Sequence, residues 1–144
     1  MRVLVLGADG YLGWATCMAL AAAGHEVTGA DNGLRRRLCA ETGSPPLFPL
    51  PALPERADLF RALTGHRIDV REGDLSDPAF TDALVQDAGP DAVVHYAEQP
   101  SAPYSMMGPA QARLTLDNNL RATHNIVLAV LEHEFAGIES VLEI

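Results

Sequence analysis

Three glycines stand at intervals of three in the segment GADGYLG, at Gly7, Gly10 and Gly13. They follow an apolar, β-branched run at residues 3–6 and precede residues 11–23, whose apolar positions have helical spacing. Between a buried strand and a helix, glycines let the backbone approach a pyrophosphate at the helix N-terminus. The pattern therefore predicts a phosphate-binding turn for a dinucleotide, in preference to a tight turn without a ligand.

An acidic residue gives this turn a partner. Asp31 ends the second predicted strand, eighteen positions after Gly13. Its carboxylate can accept hydrogen bonds from a ribose diol and would repel a 2′-phosphate, which favours NAD over NADP. Arg35 and Arg36 follow, and such arginines either bind a 2′-phosphate or form a solvated basic turn. With Asp31 in place, we expect them to reach the phosphates or the ribose of the cofactor.

Two further segments follow predicted strands. Asp74 and Leu75 stand after the third strand, where this fold usually contacts adenine, although Asp74 could equally be a loop aspartate of the helix-capping kind. Residues 98–107 leave the fourth strand with polar side chains set between prolines. This pattern predicts a rigid active-site loop rather than a plain surface turn. Its candidate side chains are Gln99, Ser101 and Tyr104.

The elements that must position these residues alternate along the chain. We predict strands at residues 3–6, 26–30, 67–72, 92–97 and 140–144, and helices at 11–23, 78–87 and 110–134. This alternation predicts an α/β fold, a doubly wound parallel sheet with the strand order 3-2-1-4-5 and right-handed crossovers. Ligands of such sheets bind at the carboxyl ends of the strands.

One connection breaks the rule of short loops. Residues 33–66 contain five prolines and a helical patch at 55–63. Connections of this length are usually functional lids or linkers. We expect residues 1–144 to form one domain that carries this segment as an insertion.

The composition sets outer limits on function. The 144 residues are 48% hydrophobic and 20% charged, as in one globular core, and the formal net charge of −9 argues against binding to nucleic acid or anionic membranes. The apolar run at the N-terminus is too short for a signal sequence or a membrane span, so we expect a cytoplasmic protein. Neither the two cysteines nor the five histidines show metal-ligand spacing. All ten basic residues are arginine, so a mechanism that needs lysine must obtain it elsewhere.

The glycine spacing resembles that of the extended short-chain dehydrogenases/reductases. More specifically, residues 1–133 resemble the UDP-sulfoquinovose synthase family through motifs that occur in the family's order and with its long insertion. These motifs are GADGYLGWAT, DN-x-x-RR, ALTG with GDLSD, VVHYAEQ-x-SAPYSMM and DNNLRAT.

The resemblance implies a Rossmann fold and NAD chemistry on a nucleotide sugar. NAD oxidises the C4 hydroxyl of UDP-glucose, water is lost across C5 and C6, sulfite adds at C6, and the hydride returns. It implies that Gln99, Ser101 and Tyr104 face the nicotinamide and the sugar, and that Asn119 is the structural asparagine of the catalytic tetrad. The residues implied to hold NAD are Gly7, Asp9, Gly10, Tyr11, Leu12, Gly13, Asp31, Asn32, Arg35, Arg36, Asp74, Leu75 and Ala97.

Two departures from the family pattern leave alternatives open. Pro100 stands where the family has arginine, which removes a cation expected near the substrate or sulfite and favours a nucleotide-sugar epimerase or dehydratase. The family's catalytic threonine, its Tyr-x-x-x-Lys motif and its sugar-nucleotide lobe would lie beyond Ile144. We therefore expect a fold truncated after the fifth strand that does not transfer hydride alone. A homo-oligomer or a complementing C-terminal chain is expected, and a non-catalytic NAD-binding or interaction module is the rival interpretation.

Overall fold

The computed structural model describes residues 1–133 and 141–143. Its centre is a parallel sheet with the strand order β3-β2-β1-β4-β5, which confirms the predicted order. The strands are β1 (Arg2–Leu6), β2 (Glu26–Asp31), β3 (Ile68–Glu72), β4 (Ala92–His95) and β5 (Val141–Glu143). All four pairings are parallel, so the predicted doubly wound α/β fold is confirmed.

Helices cover both faces of the sheet. They are α1 (Tyr11–Ala22), α2 (Leu34–Glu41), α3 (Leu53–Thr64), α4 (Pro78–Ala88), α5 (Ala102–Ser105) and α6 (Pro109–Glu132). Successive side chains of a strand point to opposite faces, so β1 contributes to two cores. Val3 and Val5 belong to the core on the α1 and α3 side, whereas Leu4 and Leu6 belong to the core on the α4 and α6 side.

Local signals in the sequence explain the bounds of several helices. The helix α4 begins at Pro78, whose fixed φ suits the first helical position. Asp77 caps it by accepting a hydrogen bond of 3.0 Å from the N–H of Ala79. The helix ends at Ala88, and the next residue, Gly89, adopts a left-handed conformation with φ +46°.

The structure differs from the sequence-based expectations at several bounds. The strand β4 ends at His95 rather than at residue 97, and α2 lies in a part of the insertion for which no element was predicted. The helix α3 extends the predicted patch at both ends, and α5 is a single turn inside the predicted loop. Residues 134, 140 and 144 of the predicted elements lie outside the described residues.

None of the helices in residues 1–133 combines the length and the apolar character that a bilayer crossing requires.

Candidate functional site

The carboxyl ends of the strands open into a cavity of about 690 Å³. It runs from the glycine turn past Asp31 to the loop at residues 98–107, and α2 forms its outer wall. The structure brings together nearly all of the predicted site residues. Those that line the cavity are Gly7, Asp9, Gly10, Tyr11, Leu12, Gly13, Asp31, Asn32, Arg35, Asp74, Leu75, Ala97, Gln99, Ser101 and Tyr104. Arg36 and Asn119 are not among the lining residues.

The three glycines of the turn have different surroundings. A Cβ atom on Gly7, whose φ is +82°, would lie 2.7 Å from the carbonyl carbon of Tyr96, and one on Gly13 would lie 2.0 Å from the oxygen of Gly7. Close packing therefore requires both of these glycines. A Cβ atom on Gly10 would meet only the oxygen of Gly7, at 3.1 Å. Gly10 thus presents bare backbone to the cavity at the N-terminus of α1, a cradle that fits a pyrophosphate.

Asp31 is held in place by two backbone groups. Its Oδ2 accepts a hydrogen bond of 2.9 Å from the N–H of Asp9, and its Oδ1 accepts one of 2.7 Å from the N–H of Gly33. Burial raises the pKa of the Asp31 carboxyl, and these two hydrogen bonds oppose the rise because they favour the ionised form. An ionised carboxylate offers about four lone-pair positions, so acceptor positions remain for a ribose diol.

The residues after Asp31 form the start of α2. The Oδ1 atom of Asn32 accepts a hydrogen bond of 2.8 Å from the N–H of Leu34, so this side chain shapes the turn. Arg35 is exposed and lines the cavity, where its charge can meet a phosphate. Arg36 points elsewhere, because it binds the Asp9 carboxylate through Nε and Nη2. The structure therefore does not place Arg36 where the sequence predicted.

The Asp9 carboxylate joins the glycine turn to the insertion. Only 8% of the Asp9 side chain is exposed, and it pairs with both Arg36 and Arg56. The hydrogen bond from Arg56 Nη1 to Asp9 Oδ1 is 2.9 Å, and the same guanidinium lies 4.4 Å from the ring centroid of Trp14. Because two cations surround the Asp9 carboxylate, its negative charge is compensated beside the predicted pyrophosphate turn.

Asp74 and Leu75 form the wall of the cavity just after the carboxyl end of β3. The Oδ1 atom of Asp74 accepts a hydrogen bond of 2.9 Å from the N–H of Ser76. Leu75 is buried, and its carbonyl oxygen accepts a hydrogen bond of 2.8 Å from Asn125 Nδ2 in α6. Asp74 thus shapes its own loop, Asp77 caps the following helix, and the buried Leu75 supports the wall.

The loop after β4 is closed by Gln99. Its Oε1 accepts a hydrogen bond of 2.7 Å from the N–H of Ser101, and its Nε2 donates one of 2.9 Å to Thr115 Oγ1 in α6. The Oδ1 atom of Asn119 accepts a hydrogen bond of 2.8 Å from the N–H of Gln99, and its Nδ2 donates one of 3.3 Å to the Gln99 oxygen. The side-chain amide of Gln99 is therefore engaged by both the loop and α6, and Asn119 positions the Gln99 backbone.

Ser101 and Tyr104 lie on the single turn α5. The Oγ atom of Ser101 accepts a hydrogen bond of 3.3 Å from the N–H of Tyr104 and so caps the turn. Tyr104 is 6% exposed and lines the cavity. Desolvation raises the pKa of its hydroxyl and the nearby charge of Glu41 raises it further, so the phenol stays neutral at ordinary pH.

His95 supports the base of the same loop. It is 1% exposed, and its Nδ1 accepts a hydrogen bond of 3.2 Å from the N–H of Ala97. Its Nε2 lies 3.3 Å from Thr123 Oγ1 in α6. The buried His95 therefore fixes the backbone of Ala97, which lines the cavity.

The outer wall of the cavity was not predicted from the sequence. Leu34, Leu38 and Thr42 line it from α2 and its C-cap position, together with Cys39. Their spacing of four residues places Leu34, Leu38 and Thr42 on one face of a helix, and this periodicity was the available signal. The sequence pattern is hard to recognise because residues 34–41 include three consecutive arginines. The helix also buries no residue in the core, so it lacks a strongly apolar face.

A family model described as the NAD dependent epimerase/dehydratase family matches residues 3–142. UDP-sulfoquinovose synthase of Sulfolobus acidocaldarius is 46% identical over 132 residues, which cover 92% of this chain and 34% of that protein. The chloroplastic UDP-sulfoquinovose synthase of Spinacia oleracea is 39% identical over 131 residues, or 91% of this chain and 27% of that protein. These matches confirm the resemblance to the UDP-sulfoquinovose synthases.

A solved structure supports the fold. UDP-glucose 4-epimerase from Bifidobacterium longum, crystallised with NAD+ and UDP, has a TM-score of 0.76 to this chain at 22% identity. Because the identity is low, this likeness concerns the fold alone. The match covers 99% of this chain and 36% of the epimerase. The chain spans about a third of the length of these three proteins. With a family model that matches nearly its whole length, the chain belongs to the NAD dependent epimerase/dehydratase family.

Proposed function

We propose that this chain binds NAD along the cavity at the carboxyl edge of the sheet. The observation that carries the proposal is the pair of hydrogen bonds from Asp9 and Gly33 to the Asp31 carboxylate. The Asp9 N–H belongs to the glycine turn, so the ribose acceptor and the pyrophosphate turn form one preorganised unit. Such preorganisation lowers the entropy cost of binding.

The dinucleotide follows the cavity from one end to the other. The pyrophosphate lies on the backbone of Gly10 at the start of α1, with Arg35 beside the phosphates. The adenosine ribose meets Asp31, and the adenine lies against Asp74 and Leu75. The nicotinamide reaches toward Ala97 and the loop at 98–107. Bound NAD supplies a hydride acceptor, and the residues of this chain orient it and shield it from water.

Asp31 favours NAD over NADP in this arrangement. Its carboxylate accepts from the ribose hydroxyls of NAD and repels a 2′-phosphate. A calorimetric titration of the chain with each nucleotide tests the proposal. NAD should release binding heat with a stoichiometry of about one, as expected for a single cavity, and NADP should bind more weakly. The proposal fails if NAD gives no heat or if NADP binds more tightly.

We further propose that the cavity serves a nucleotide-sugar enzyme of the UDP-sulfoquinovose synthase type. The identities of 46% and 39% to proteins of that name support this proposal. The sugar of a UDP-glucose-like substrate would lie near Ser101 and Tyr104, opposite the nicotinamide. Sulfite would be the second substrate, and a cytoplasmic location stays a prediction. An intact enzyme that contains these residues should consume sulfite in the presence of UDP-glucose.

An epimerase or dehydratase is the second candidate, because one observation favours it. Pro100 is exposed and lines the cavity where the resemblance leads us to expect an arginine. Product analysis distinguishes the candidates, since UDP-galactose or a free 4-keto sugar formed without sulfite would support the epimerase or dehydratase. NAD binding without any turnover by the intact protein would support the non-catalytic module.

A further inference from the structure

Arg36 lies near enough to the Asp31 carboxylate for the two charges to interact. It follows Asp31 by five positions, on the first turns of α2, and its charge lowers the pKa of the Asp31 carboxyl against the effect of burial. An arginine beside the adenosine ribose is the residue type that binds the 2′-phosphate of NADP. The chain therefore has a cation suited to NADP close to the carboxylate that selects NAD.

The hydrogen bonds of Arg36 occupy most of its guanidinium. Nε and Nη2 donate to the two carboxylate oxygens of Asp9, Nη2 also donates to the Pro51 oxygen at 2.7 Å, and Nη1 donates to the Leu50 oxygen at 2.9 Å. Four of its five N–H groups are thus engaged. The pair with Asp9 is bidentate, the geometry that binds arginine most strongly.

Asp9 is well placed to govern this interaction. Its own N–H donates to Asp31, so its backbone lies directly beside the ribose position. Its carboxylate is nearly buried and is held on the other side by Arg56, which is packed against Trp14. Asp9 therefore keeps a fixed position from which it holds Arg36 beside the Leu50 and Pro51 oxygens.

We propose that Asp9 is a specificity-determining residue that selects NAD by withholding Arg36 from a 2′-phosphate. This inference rests on the proposed NAD site. Asp31 repels the 2′-phosphate directly, and Asp9 removes the cation that would otherwise compensate for that repulsion. Arg36 acts on selectivity only when Asp9 no longer holds it.

The test measures the ratio of the dissociation constants for NADP and NAD by calorimetry with the chain and its variants. Asp9→Asn keeps the size of the side chain but removes the charge. It should lower the ratio about tenfold, because Arg36 then keeps only neutral acceptors, among them the Leu50 and Pro51 oxygens, and can exchange them for a charge-assisted hydrogen bond to the phosphate. Adding Arg36→Gln to this variant should restore the original ratio. Adding Arg35→Gln instead is the matched control, and the lowered ratio should persist.

Other outcomes overturn the inference. An unchanged ratio in a folded Asp9→Asn variant overturns it, as does a ratio restored by Arg35→Gln but not by Arg36→Gln. If Asp9→Asn does not fold, Asp31→Asn is compared with Asp31→Asn/Arg36→Gln. Because Asp9 still holds Arg36 in the Asp31→Asn variant, both variants should have the same ratio of dissociation constants. A selective loss of NADP affinity in the double variant contradicts the inference. If the unmodified chain does not bind NAD, the proposed function fails together with the inference. If it binds NAD and only the ratios disagree, the inference fails alone.

Discussion

Gly10 and Gly13 differ in the reason for which a side chain is absent. A Cβ atom on Gly13 would lie inside the contact distance of the Gly7 oxygen, whereas one on Gly10 would require a shift of only a few tenths of an ångström. The sequence pattern identifies both residues but does not separate these roles. Only the packing of the turn shows that Gly13 serves the fold and that Gly10 leaves room for a ligand.

The two glycines should therefore respond differently to substitution by alanine. Gly13→Ala should lower the free energy of unfolding by about 1–3 kcal/mol or more, because backbone must move. Gly10→Ala should change it by no more than about 1 kcal/mol but weaken NAD binding about tenfold, because the methyl group occupies the path of the pyrophosphate. Chemical unfolding and calorimetry measure the two effects. A Gly10→Ala variant that folds and binds NAD normally would contradict the cradle.

The raised pKa of Asp31 makes the stability of the fold depend on pH. Burial raises this pKa above its value in the unfolded chain, so protonation of Asp31 stabilises the folded state. This stabilisation is complete only at a pH below the pKa of Asp31 in the unfolded chain. That contribution is lost as the pH rises through the folded value, so at neutral pH the ionised Asp31 costs stability that the hydrogen bonds from Asp9 and Gly33 partly offset.

We expect NAD affinity to fall, and the preference over NADP to narrow, as the pH drops into the range where Asp31 gains its proton. This should occur at a higher pH than for an exposed aspartate, because the pKa is raised. Asp31→Asn should bind NAD about tenfold more weakly at neutral pH and lack this transition. Titrations over a pH series check both expectations. The same transition in Asp31→Asn would show that another group is responsible.

At the scale of elements, the sequence predicts those parts of the fold that bury a periodic apolar face. The long α6 follows from such a pattern, and β1 follows from a continuous apolar run. The helix α1 was predicted in the right place, but it buries Gly13, Cys17 and Ala21 and leaves Leu12 50% exposed. The strand order follows from the handedness of the crossovers. The helix α2 was not predicted because it buries no side chain in the core. The turn α5 is too short for any periodicity, and its cap by Ser101 becomes visible only in the folded loop.

Asn119 links two of these elements, because it binds the backbone of Gln99 from α6. Asn119→Ala leaves both Gln99 backbone groups without this partner and should lower the free energy of unfolding by about 1–3 kcal/mol. The backbone N–H of Gln99 should then exchange its hydrogen with solvent faster. Asn119→Asp keeps the acceptor for that amide and should have a smaller effect.

A second asparagine of α6 provides the control for this prediction. Asn125 donates to the Leu75 oxygen, away from the loop after β4. Asn125→Ala should lower stability without faster exchange at Gln99. Equal exchange at Gln99 in both alanine variants would show that Asn119 does not position the loop.

At the scale of the whole molecule, the cavity depends on contacts between distant segments. Asp9 meets Arg36 and Arg56 across 27 and 47 positions, and no local pattern predicts such pairs. They bring the insertion, which the sequence suggested only as a lid or linker, against the glycine turn. The predicted site residues are therefore mostly present at the cavity, whereas the division between binding and positioning roles required the tertiary structure.

Exposed leucines on α6 lead us to expect that the chain associates with itself. Leu116, Leu120 and Leu131 are 64%, 65% and 66% exposed and recur at spacings of four and eleven, close to one helix face. We expect the chain to form dimers or larger species in size-exclusion chromatography with light scattering. Leu120→Glu should shift the population toward monomer without unfolding it. A clean monomer for the unmodified chain would contradict this expectation.

We propose that one cavity holds NAD from the glycine turn to the loop after β4. A crystal structure of the chain with NAD is the decisive test of this proposal. It should place the pyrophosphate over Gly10 at the N-terminus of α1 and the ribose hydroxyls within hydrogen-bond distance of the Asp31 carboxylate. Density for NAD at another surface, or an adenosine ribose that does not contact Asp31, would contradict the account.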